Sequence, residues 1–496
     1  MPADIIVEDF DDVHMKVICD RGIAKEISDF FTFTVPGHEY MPSYKSRHWD
    51  GKIKLYHIFN QTLYRGLLNY LISFASDRNY TIVPPGGDKN DYKVDDVKRF
   101  MVDHLRSQAM GKDLTPFPHQ IEAVTHALNE ERCLLLSPTG SGKSLIIYSL
   151  LRYYFDKLPK DKKILVVVPT VSLVSQMHSD FVEYSKNNKW KVDSRCHCLF
   201  AGRSKDTEKR VVITTWQSIY KLPESYFKDF AVVFGDECHQ FKAKSLTSIM
   251  SKLKRCPYRI GTTGTLDDIQ IHQLVIEGLF GPVQKVTTTT ELIEKKMLSN
   301  LEIDCILLQH DDVSKKQIKR AKYQEEIDWL VSNPKRNEFI RDLSLRLKGN
   351  TLILFQFVEK HGKVLHSMVK DTGMDRKVFF VHGGTDVEVR EDIRHIVENE
   401  NDAIIVASYG TFSTGISIRR LHNIIFASPS KSRIRVLQSI GRQLRTSKNK
   451  DKAKLYDIGD DLHWKSWKNH TLRHFIERIK IYTSEKFKHT IHRIRI

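Results

Sequence analysis

The chain has 496 residues, of which 41% are hydrophobic and 28% charged, and a formal net charge of +17. This length predicts about two to four domains, and the composition is that of folded globular proteins. The sequence has no apolar run long enough to span a membrane and no secretory signal at its N-terminus. We therefore expect a cytoplasmic protein whose seven scattered cysteines stay reduced.

The positive charge is concentrated towards the C-terminus. Residues 419–496 contain 20 lysines and arginines against 6 acidic residues. A basic surface attracts phosphate backbones and releases their counterions. The charge therefore favours a nucleic-acid partner, although a solvated basic tail with no specific partner has the same composition.

Residues 1–95 are predicted to form a small α/β accessory domain, because short alternating runs and two helical stretches precede a Pro/Gly break. Within it, residues 47–59 are expected to form a hairpin that turns at Asp50 and Gly51. Basic and aromatic residues alternate here, as in many nucleic-acid-binding surfaces. The candidate contacts are Lys45, Arg47, Trp49 and Lys52. The alternative is a hairpin whose aromatics pack inward while its lysines are only solvated.

Two further regions alternate short apolar runs with helical stretches. In residues 96–286 the predicted strands are 133–138, 164–170, 211–215, 230–236 and 258–264. In residues 349–460 they are 350–356, 377–383, 402–408, 423–429 and 453–459. Short continuous apolar runs suit strands that are buried on both faces of a parallel sheet. The sequence therefore predicts an α/β protein with two tandem parallel sheets, a connecting strand and helices at 287–348, and a basic helical segment at 461–496.

A glycine-rich loop lies between the first of these strands and an apolar helix. It consists of Ser137, Pro138, Thr139, Gly140, Ser141, Gly142, Lys143 and Ser144. Glycines let backbone N–H groups approach a phosphate, and the helix N-terminus adds partial positive charge. Lys143 is expected to reach the β- and γ-phosphates of ATP, and the Ser144 hydroxyl to bind Mg²⁺. The strict pattern for this loop begins with glycine, where this chain has Ser137.

Two acids follow the predicted strand 230–236 and complete the candidate ATP site. Hydrolysis of ATP needs a carboxylate on Mg²⁺ and a base for the attacking water. Asp236 is assigned the first role and Glu237 the second. His239, two residues further on, is expected to relay the state of the nucleotide to its neighbours.

The loop and the segment Asp236–His239, in this order, resemble motifs I and II of the superfamily 2 DExH-type helicases. Phe117 and Gln120 are similar to that family's adenine-reading segment. The segment 261–265 resembles the coupling motif III, with Gly264 where the family has alanine. This resemblance implies two RecA-like domains that bind one ATP between them.

The resemblance continues in the second region, where motifs V and VI are found. It assigns Gly415 to the nucleotide, and it assigns Gln438, Arg442 and Arg445 to catalysis, with both arginines facing the γ-phosphate. An arginine supplied by a neighbouring domain stabilises the charge of phosphoryl transfer. Motif V of the family carries an aspartate where this chain has Ser417, so the role of that acid is not transferred.

The resemblance also implies contacts with a nucleic-acid strand along both domains. The expected contact residues are Pro169, Thr170, Ser172, Gln176, Thr214, Trp216, Gln356, His382, Gly383, Thr411 and Thr414. Hydroxyls, amides and backbone N–H groups at the start of loops suit contact with phosphates and do not read the base sequence. For Trp216, half-buried packing is the alternative.

Within the superfamily the chain is most similar to phage-type recombination helicases, on the motifs above and on the segment 47–56. That similarity implies an ATP-dependent DNA motor in the cytoplasm of an infected cell. It would act on branched DNA by branch migration, fork reversal and unwinding of D-loops and R-loops, in recombination-dependent replication and repair, with RNA–DNA hybrids as possible partners. An RNA helicase, a duplex translocase without strand separation, and a nucleic-acid-binding protein that does not hydrolyse ATP stay open.

Overall fold

The computed structural model describes residues 3–496 with several short gaps. The gaps are 88–89, 110, 201, 203, 241–242, 267–269, 373–374, 416–417, 419, 429–435, 437–438, 442–443 and 445–451. The chain divides into two compact units, of which the first comprises Met1–Ser137 and Ser141–Thr287 and the second Pro138–Gly140 and Thr288–Ile496. Among the described residues, no helix is long and apolar enough to cross a membrane.

The arm, residues 3–87, is a small α/β structure at the start of the first unit. Its elements are β1 Ile5–Asp9, β2 His14–Cys19, α1 Arg21–Phe30, β3 Thr32–Thr34, α2 Pro42–Lys45, β4 Lys52–Lys54, β5 Tyr56–His57, β6 Thr62–Tyr64, α3 Leu68–Asp77 and β7 Ile82–Val83. Five of the strands form one sheet in the order β5-β6-β2-β1-β7, and β3 pairs with β4 separately. The predicted accessory α/β fold is therefore present.

The predicted hairpin at residues 47–59 was wrong. β4 pairs antiparallel with β3, so that Thr32 lies opposite Lys54, and no strand immediately precedes Gly51. A strand at 47–50 would have needed an apolar face to bury, but Arg47 and His48 are exposed. Gly51 does lie in a turn, with a φ of 76°.

The first lobe, residues 90–287, contains the first predicted parallel sheet. Its elements are α4 Val94–Arg99, β8 Gln108–Ala109, β9 Lys112–Asp113, α5 Pro118–Glu130, β10 Arg132–Leu136, α6 Lys143–Lys157, β11 Lys163–Val168, α7 Val171–Tyr184, α8 Val192–Arg195, β12 Cys196–Leu199, β13 Val211–Thr215, α9 Trp216–Ile219, α10 Glu224–Phe227, β14 Phe230–Gly235, α11 Ala243–Met250, β15 Tyr258–Thr263, α12 Gln270–Phe280 and β16 Val283–Lys285. Seven strands form the sheet in the order β12-β13-β11-β14-β15-β10-β16, and all their pairings are parallel. All five predicted strands are present, and they carry their loops to one edge of the sheet.

The second lobe, residues 288–496, contains a second parallel sheet of seven strands. Its elements are α13 Thr289–Glu294, β17 Asn300–Gln309, α14 Asp312–Ile318, α15 Tyr323–Ser332, α16 Pro334–Arg346, β18 Thr351–Phe355, α17 Lys363–Lys370, β19 Val378–Val381, α18 Val387–Asn399, β20 Ile404–Ser408, α19 Tyr409–Gly415, β21 Asn423–Phe426, β22 Lys452–Asp461, α20 His470–Ser484 and β23 His489–Arg495. The strand order is β19-β20-β18-β21-β22-β17-β23. The predicted fold class of two tandem parallel sheets is confirmed.

Two segments of the second lobe differ from the predicted domain plan. The strand predicted within the connecting segment 287–348 is β17, and it lies inside the second sheet between β22 and β23. The predicted C-terminal helix is present as α20, but the residues after it form the edge strand β23. The prediction of a wholly helical segment at 461–496 was therefore incomplete. The polar alternation of β23 hides its strand character, because an edge strand gains backbone hydrogen bonds more than burial.

The arm and the first lobe share one hydrophobic core. A single cluster of buried residues joins Leu63, Leu67 and Phe74 of the arm to Leu274 and Phe280 of the first lobe. The predicted boundary at residues 95–96 therefore does not separate two independent cores. It also falls inside α4, which begins at Val94 and packs in the first lobe.

Close backbone contact seats the arm on α12. A Cβ atom added to Gly66 would lie 1.9 Å from the carbonyl oxygen of Glu277, and one added to Gly278 would lie 3.0 Å from Cβ of Tyr64. The Tyr70 hydroxyl donates to Oε2 of Glu277 at 3.1 Å. Only glycine at position 66 permits this approach. The arm is therefore packed directly against α12, and is not merely connected to the first lobe by a linker.

A Gly66→Ala variant should be strongly destabilised. The new methyl group would meet a backbone oxygen that cannot rotate away, and overpacking of this kind costs about 1–3 kcal/mol or more. We expect the first thermal transition to fall by roughly 4–10 °C, read by calorimetry or circular dichroism. Gly86→Ala is the matched control, because a Cβ at Gly86 meets nothing within 4 Å. Equal melting temperatures for the two variants would contradict the docking.

Candidate nucleotide site and helicase motifs

The phosphate-binding loop lies between β10 and α6, at the edge of the sheet where the parallel strands end. Gly140 and Gly142 have φ angles of 88° and 85°, which favour glycine. Gly142 is the N-cap of α6, so the first turn of that helix follows directly with Lys143 and Ser144. The loop therefore points backbone N–H groups and a helix N-terminus towards the same space, as anion binding requires.

The first turn of α5 holds this loop through hydrogen bonds to Ser141. Gln120 donates to the carbonyl oxygen of Ser141 at 2.8 Å, and its Oε1 accepts from the N–H of Phe117 at 2.9 Å. A Cβ at Gly142 would lie 2.1 Å from Nε2 of Gln120, which is a second reason, besides the φ angle, for glycine at this position. A ring nitrogen of His119 lies 3.0 Å from the same Ser141 oxygen. The sequence predicted roles for Phe117 and Gln120 but not for His119, which lies between them.

Lys143, Asp236 and Glu237 come together beneath the loop. Nζ of Lys143 lies 3.3 Å from Oε1 of Glu237 and 3.2 Å from the carbonyl oxygen of Ser137. Burial and the neighbouring Glu237 carboxylate raise the pKa of Asp236 to about 6, although Lys143 and Thr262 oppose the rise. Burial also acts on Glu237, but Lys143 and His239 outweigh it and hold the pKa of that carboxyl below its ordinary value.

This donor set fits Mg²⁺ bound with a nucleotide. Two adjacent carboxylates, Asp236 and Glu237, lie beside the Lys143 ammonium group, and burial together with the Glu237 charge raises the pKa of Asp236. Hard oxygen donors such as a carboxylate and a hydroxyl are the ligands that Mg²⁺ prefers. Asp236 and Ser144 would hold the ion, while Lys143 would hold the phosphates.

Motif III contacts motif II through two hydroxyl groups on β15. Thr262 donates to Oδ1 of Asp236 at 2.7 Å, and Oγ1 of Thr263 lies 2.6 Å from Nδ1 of His239. The N–H of Gly264 points at Oε2 of Glu237 at 3.4 Å. The sequence identified the segment 261–265 but not these contacts, which depend on the parallel pairing of β14 with β15.

Tyr184, at the end of α7, was also missed. Its hydroxyl lies 2.8 Å from the Ser144 hydroxyl, so it can orient the group that is expected to bind Mg²⁺. A Ser144 hydroxyl that donates to Tyr184 keeps its lone pairs free for a cation. No motif points to Tyr184, because the contact joins residues that are 40 positions apart.

A Tyr184→Phe variant should weaken the binding of ATP in the presence of Mg²⁺ but not in its absence. Loss of one hydrogen bond costs about 0.5–1.5 kcal/mol, which is roughly a 2–10-fold loss of affinity. Titration of a fluorescent ATP analogue at several MgCl₂ concentrations and in EDTA would measure this. Tyr153→Phe is the control, because it removes a tyrosine hydroxyl that bonds to Tyr92 elsewhere in the lobe. An equal loss in EDTA would contradict the orientation of Ser144.

The candidate strand contacts of the first lobe lie at the ends of β11 and β13. Pro169 and Thr170 follow β11, and Thr170 is the N-cap of α7. Ser172 is half-buried and Gln176 is exposed on the same helix. Pro169 is buried, so the structure does not support its expected contact, whereas the positions of Thr170, Ser172 and Gln176 are compatible with theirs.

The expectation for Thr214 is not supported, and that for Trp216 is weakened. Thr214 is fully buried in β13, and its hydroxyl donates to the carbonyl oxygen of Thr215 at 3.2 Å. A strand residue whose side chain points into the core cannot meet a phosphate. Trp216 is partly buried and packs on the shared core beside Tyr220, as the packing alternative proposed.

The second lobe places its candidate contacts after the ends of β18, β19 and β20. Gln356 is exposed, and its N–H donates to the Ser428 hydroxyl at 3.1 Å. His382 and Gly383 form a turn after β19. Thr411 is buried, with its hydroxyl 2.8 Å from the Ser408 hydroxyl, so the structure does not support its expected strand contact. Thr414 and Gly415 lie in α19. Gln438, Arg442 and Arg445 lie outside the described residues, so their catalytic roles stay predictions.

In the arm, the predicted contacts are mostly exposed. Lys45, Arg47 and Lys52 are exposed, while Trp49 is half-buried and its Nε1 donates to the carbonyl oxygen of Lys52 at 2.8 Å. The inward-packing alternative holds for Tyr56, which is buried. The arm therefore presents cations and aromatic rings on the same segment.

Comparison with known proteins identifies the family. Residues 4–84 match the model of the N-terminal domain of the DNA helicase UvsW, 113–268 match the res subunit of type III restriction enzymes, and 335–447 match the helicase conserved C-terminal domain. The chain is 34% identical over 512 residues to the ATP-dependent DNA helicase UvsW of Enterobacteria phage T4, covering 99% of this chain and 100% of that protein. The chain belongs to the UvsW family.

Solved structures agree with the UvsW assignment. The crystal structure of T4 UvsW matches with a TM-score of 0.53 at 33% identity, over 99% of each chain. A type I restriction HsdR fragment from Vibrio vulnificus matches with a TM-score of 0.57 at 16% identity, over 79% of this chain and 71% of its own, which shows a shared fold alone. Membership of the UvsW family confirms the predicted superfamily 2 helicase fold and an ATP-dependent DNA helicase activity.

Proposed function

We propose that this UvsW-family helicase acts on branched DNA, where it drives branch migration, fork reversal and the unwinding of D-loops and R-loops in recombination-dependent replication and repair. The observation that carries the proposal is similarity to T4 UvsW over the whole chain, including the arm at residues 4–84. Motor lobes recur in enzymes with many tasks, so an accessory domain shared with one family narrows the task more than the motors do.

The proposed ATP site assigns one role to each group beneath the loop. Lys143 would hold the β- and γ-phosphates, and Ser144 with Asp236 would hold Mg²⁺, which when bound would neutralise charge on the phosphate oxygens. Glu237 accepts the proton of the attacking water. The bonds from Thr262 and Thr263 to motif II give motif III a direct physical route to sense the nucleotide.

The proposed DNA path runs over loop starts in both lobes. In the first lobe it uses Thr170, Ser172 and Gln176, and in the second Gln356 and the turn at His382 and Gly383. Such groups bind phosphates without reading bases, which suits a motor that must move through any sequence. We also propose that Arg442 and Arg445 complete the ATP site.

The seven cysteines form no disulfide, and we propose that the protein works in a reducing cytoplasm.

The test is ATP-driven strand separation on a matched panel of substrates: linear duplex, fork, four-way junction, D-loop, R-loop and RNA duplex. We expect DNA-stimulated ATP hydrolysis and activity on the branched DNAs above that on linear duplex. Preference for RNA duplex would instead assign an RNA helicase. Stimulated ATP hydrolysis without any strand separation would assign a duplex translocase, and hydrolysis that no nucleic acid stimulates would overturn the motor.

A further inference from the structure

A surface excursion of the arm, residues 36–50, projects between β3 and β4. Its base is closed by the hydrogen bond from the N–H of Val35 to the carbonyl oxygen of Gly51, at 2.9 Å. A Cβ at Gly51 would lie 2.3 Å from the His38 ring, so this closure needs glycine. Residues 41–48 are all exposed. The excursion is thus a built loop whose side chains are directed at solvent.

A pocket of about 550 Å³ lies on this excursion. Its lining includes the rings of Tyr44, His48 and Trp49 and the cations of Lys45 and Arg47. Ligand sites commonly have volumes of about 300–1,000 Å³. The pocket is therefore large enough for one unit of a polymer.

The rings of the pocket are held in place before any ligand arrives. The Tyr44 ring meets the His38 ring edge-on, with centroids 4.6 Å apart at 88°. Nε1 of Trp49 donates to the carbonyl oxygen of Lys52, and a ring nitrogen of His48 lies 2.9 Å from the Ser46 hydroxyl. Rings fixed in this way lose little entropy on binding, which favours stacking.

The charges of the pocket leave two cations available. Its acids are already engaged: Asp50 pairs with Lys54 at 3.2 Å, and Glu39 contacts His38 at 3.3 Å. Within the part of the chain that the structure describes, Lys45 and Arg47 form no ion pair with an acid. The pocket therefore suits a ligand that carries negative charge next to a flat ring.

An unpaired nucleotide has this combination of phosphate and exposed ring face. In a duplex the faces of the bases are covered by their neighbours, so aromatic side chains stack on single strands and on displaced bases. We propose that the excursion captures an unpaired nucleotide of the DNA, with Trp49 and Tyr44 against the base and Arg47 and Lys45 at its phosphates. The arm then recognises the single-stranded part of a branch and not its duplex arms.

This inference rests on the proposed action on branched DNA and names the part of that DNA that the arm binds. The experiment uses the full chain without ATP, and it compares a fork with unpaired arms with a linear duplex of equal length. Trp49→Leu should lower affinity for the fork by about 5-fold or more, the range of stacking losses per base. Arg47→Ala should lower it by loss of a phosphate contact, and both variants should leave affinity for the duplex unchanged. Quenching of 2-aminopurine placed in the unpaired arm should be lost in Trp49→Leu.

Two control variants match these changes. Tyr40→Leu removes a ring that is 76% exposed on the same excursion but does not line the pocket, and Lys25→Ala removes an exposed arm cation that already pairs with Asp29. Both should bind the fork like the wild type. Melting temperatures should be unchanged in Arg47→Ala and the two controls, whose side chains are exposed, and the melting temperature of Trp49→Leu shows whether loss of the half-buried ring disturbs the arm.

Several outcomes would contradict the proposal that this pocket binds an unpaired nucleotide. Equal losses on fork and duplex would make the excursion a general duplex contact, and no loss on either would remove it from DNA binding. Competition by an acidic peptide as strong as that by single-stranded DNA would assign a protein partner. Failure of the wild type on the branched-DNA panel would refute the proposed function itself, so the two failures can be told apart.

Discussion

A Lys143→Ala variant is expected to lose ATP hydrolysis by about 10²–10³-fold or more, the loss typical of removing one group that stabilises the charge of a transition state. Lys143 is the cation that the structure places against Glu237, at 3.3 Å. Without it, the two adjacent carboxylates lose the cation that offsets their charge towards the phosphates, although His239 remains 3.5 Å from Glu237, so both nucleotide binding and catalysis suffer. Affinity for DNA should stay close to the wild-type value, because the candidate strand contacts lie on other loops.

Steady-state hydrolysis with saturating single-stranded DNA and fluorescence anisotropy of labelled DNA would measure both effects. Lys162→Ala is a suitable control, since Lys162 is a partly exposed lysine of the same lobe that pairs with Asp161. A melting temperature for each variant separates lost chemistry from lost folding. Turnover near the wild-type rate in Lys143→Ala would refute the assignment of the phosphate loop.

A Glu237→Gln variant should bind ATP and fail to hydrolyse it. The amide keeps the shape of the side chain but cannot accept the proton of the attacking water, and general-base catalysis contributes about 10²–10⁴-fold. Single-turnover hydrolysis should fall by that factor, while filter binding of ATP stays near the wild-type level. Asp236→Asn should differ, because loss of the expected Mg²⁺ ligand weakens binding of the nucleotide as well.

Glu224→Gln is the control for Glu237, because Glu224 is an exposed acid of the same lobe that pairs with Lys254. Its hydrolysis should match the wild type. Undiminished hydrolysis in Glu237→Gln would remove that residue as the base, and a parallel loss of ATP binding would make it a structural partner of Lys143.

Much of the fold could be predicted because the central strands are continuous apolar runs. β11 and β14 are buried on both faces, and their continuous apolar sequences alone predict strands of a parallel sheet. The edge strands β12, β16 and β23 were missed for the opposite reason. An edge strand is covered on fewer sides, so His197 or Gln284 can stand in it and dilute the apolar pattern.

The ATP site could be predicted as a set of motifs but not as a set of contacts. The roles of Gly142 and Lys143 can be predicted from the local motif. The roles of Thr262 and Tyr184 cannot, because strand pairing and helix packing bring their hydroxyls to Asp236 and Ser144. Thr214 shows the converse error, since a hydroxyl within a motif says nothing about which face of the strand it occupies.

The docking of the arm could not be predicted, because it depends on two glycines that are far apart in the sequence. Gly66 and Gly278 lie in ordinary helical stretches, and neither sits in a turn that would mark it. Only the folded chain shows that Gly66 lies against the backbone of Glu277 and that Gly278 lies against the ring of Tyr64.

The common core of the arm and the first lobe has a mechanical consequence. No hinge lies between Gly66 and α12, and α12 follows the strand whose threonines bond to Asp236 and His239. Whatever the arm binds is therefore expected to move together with the first lobe. A DNA segment bound by the arm would therefore be held beside the first lobe, and removal of the arm would expose the apolar surface that Leu67 and Phe280 now bury.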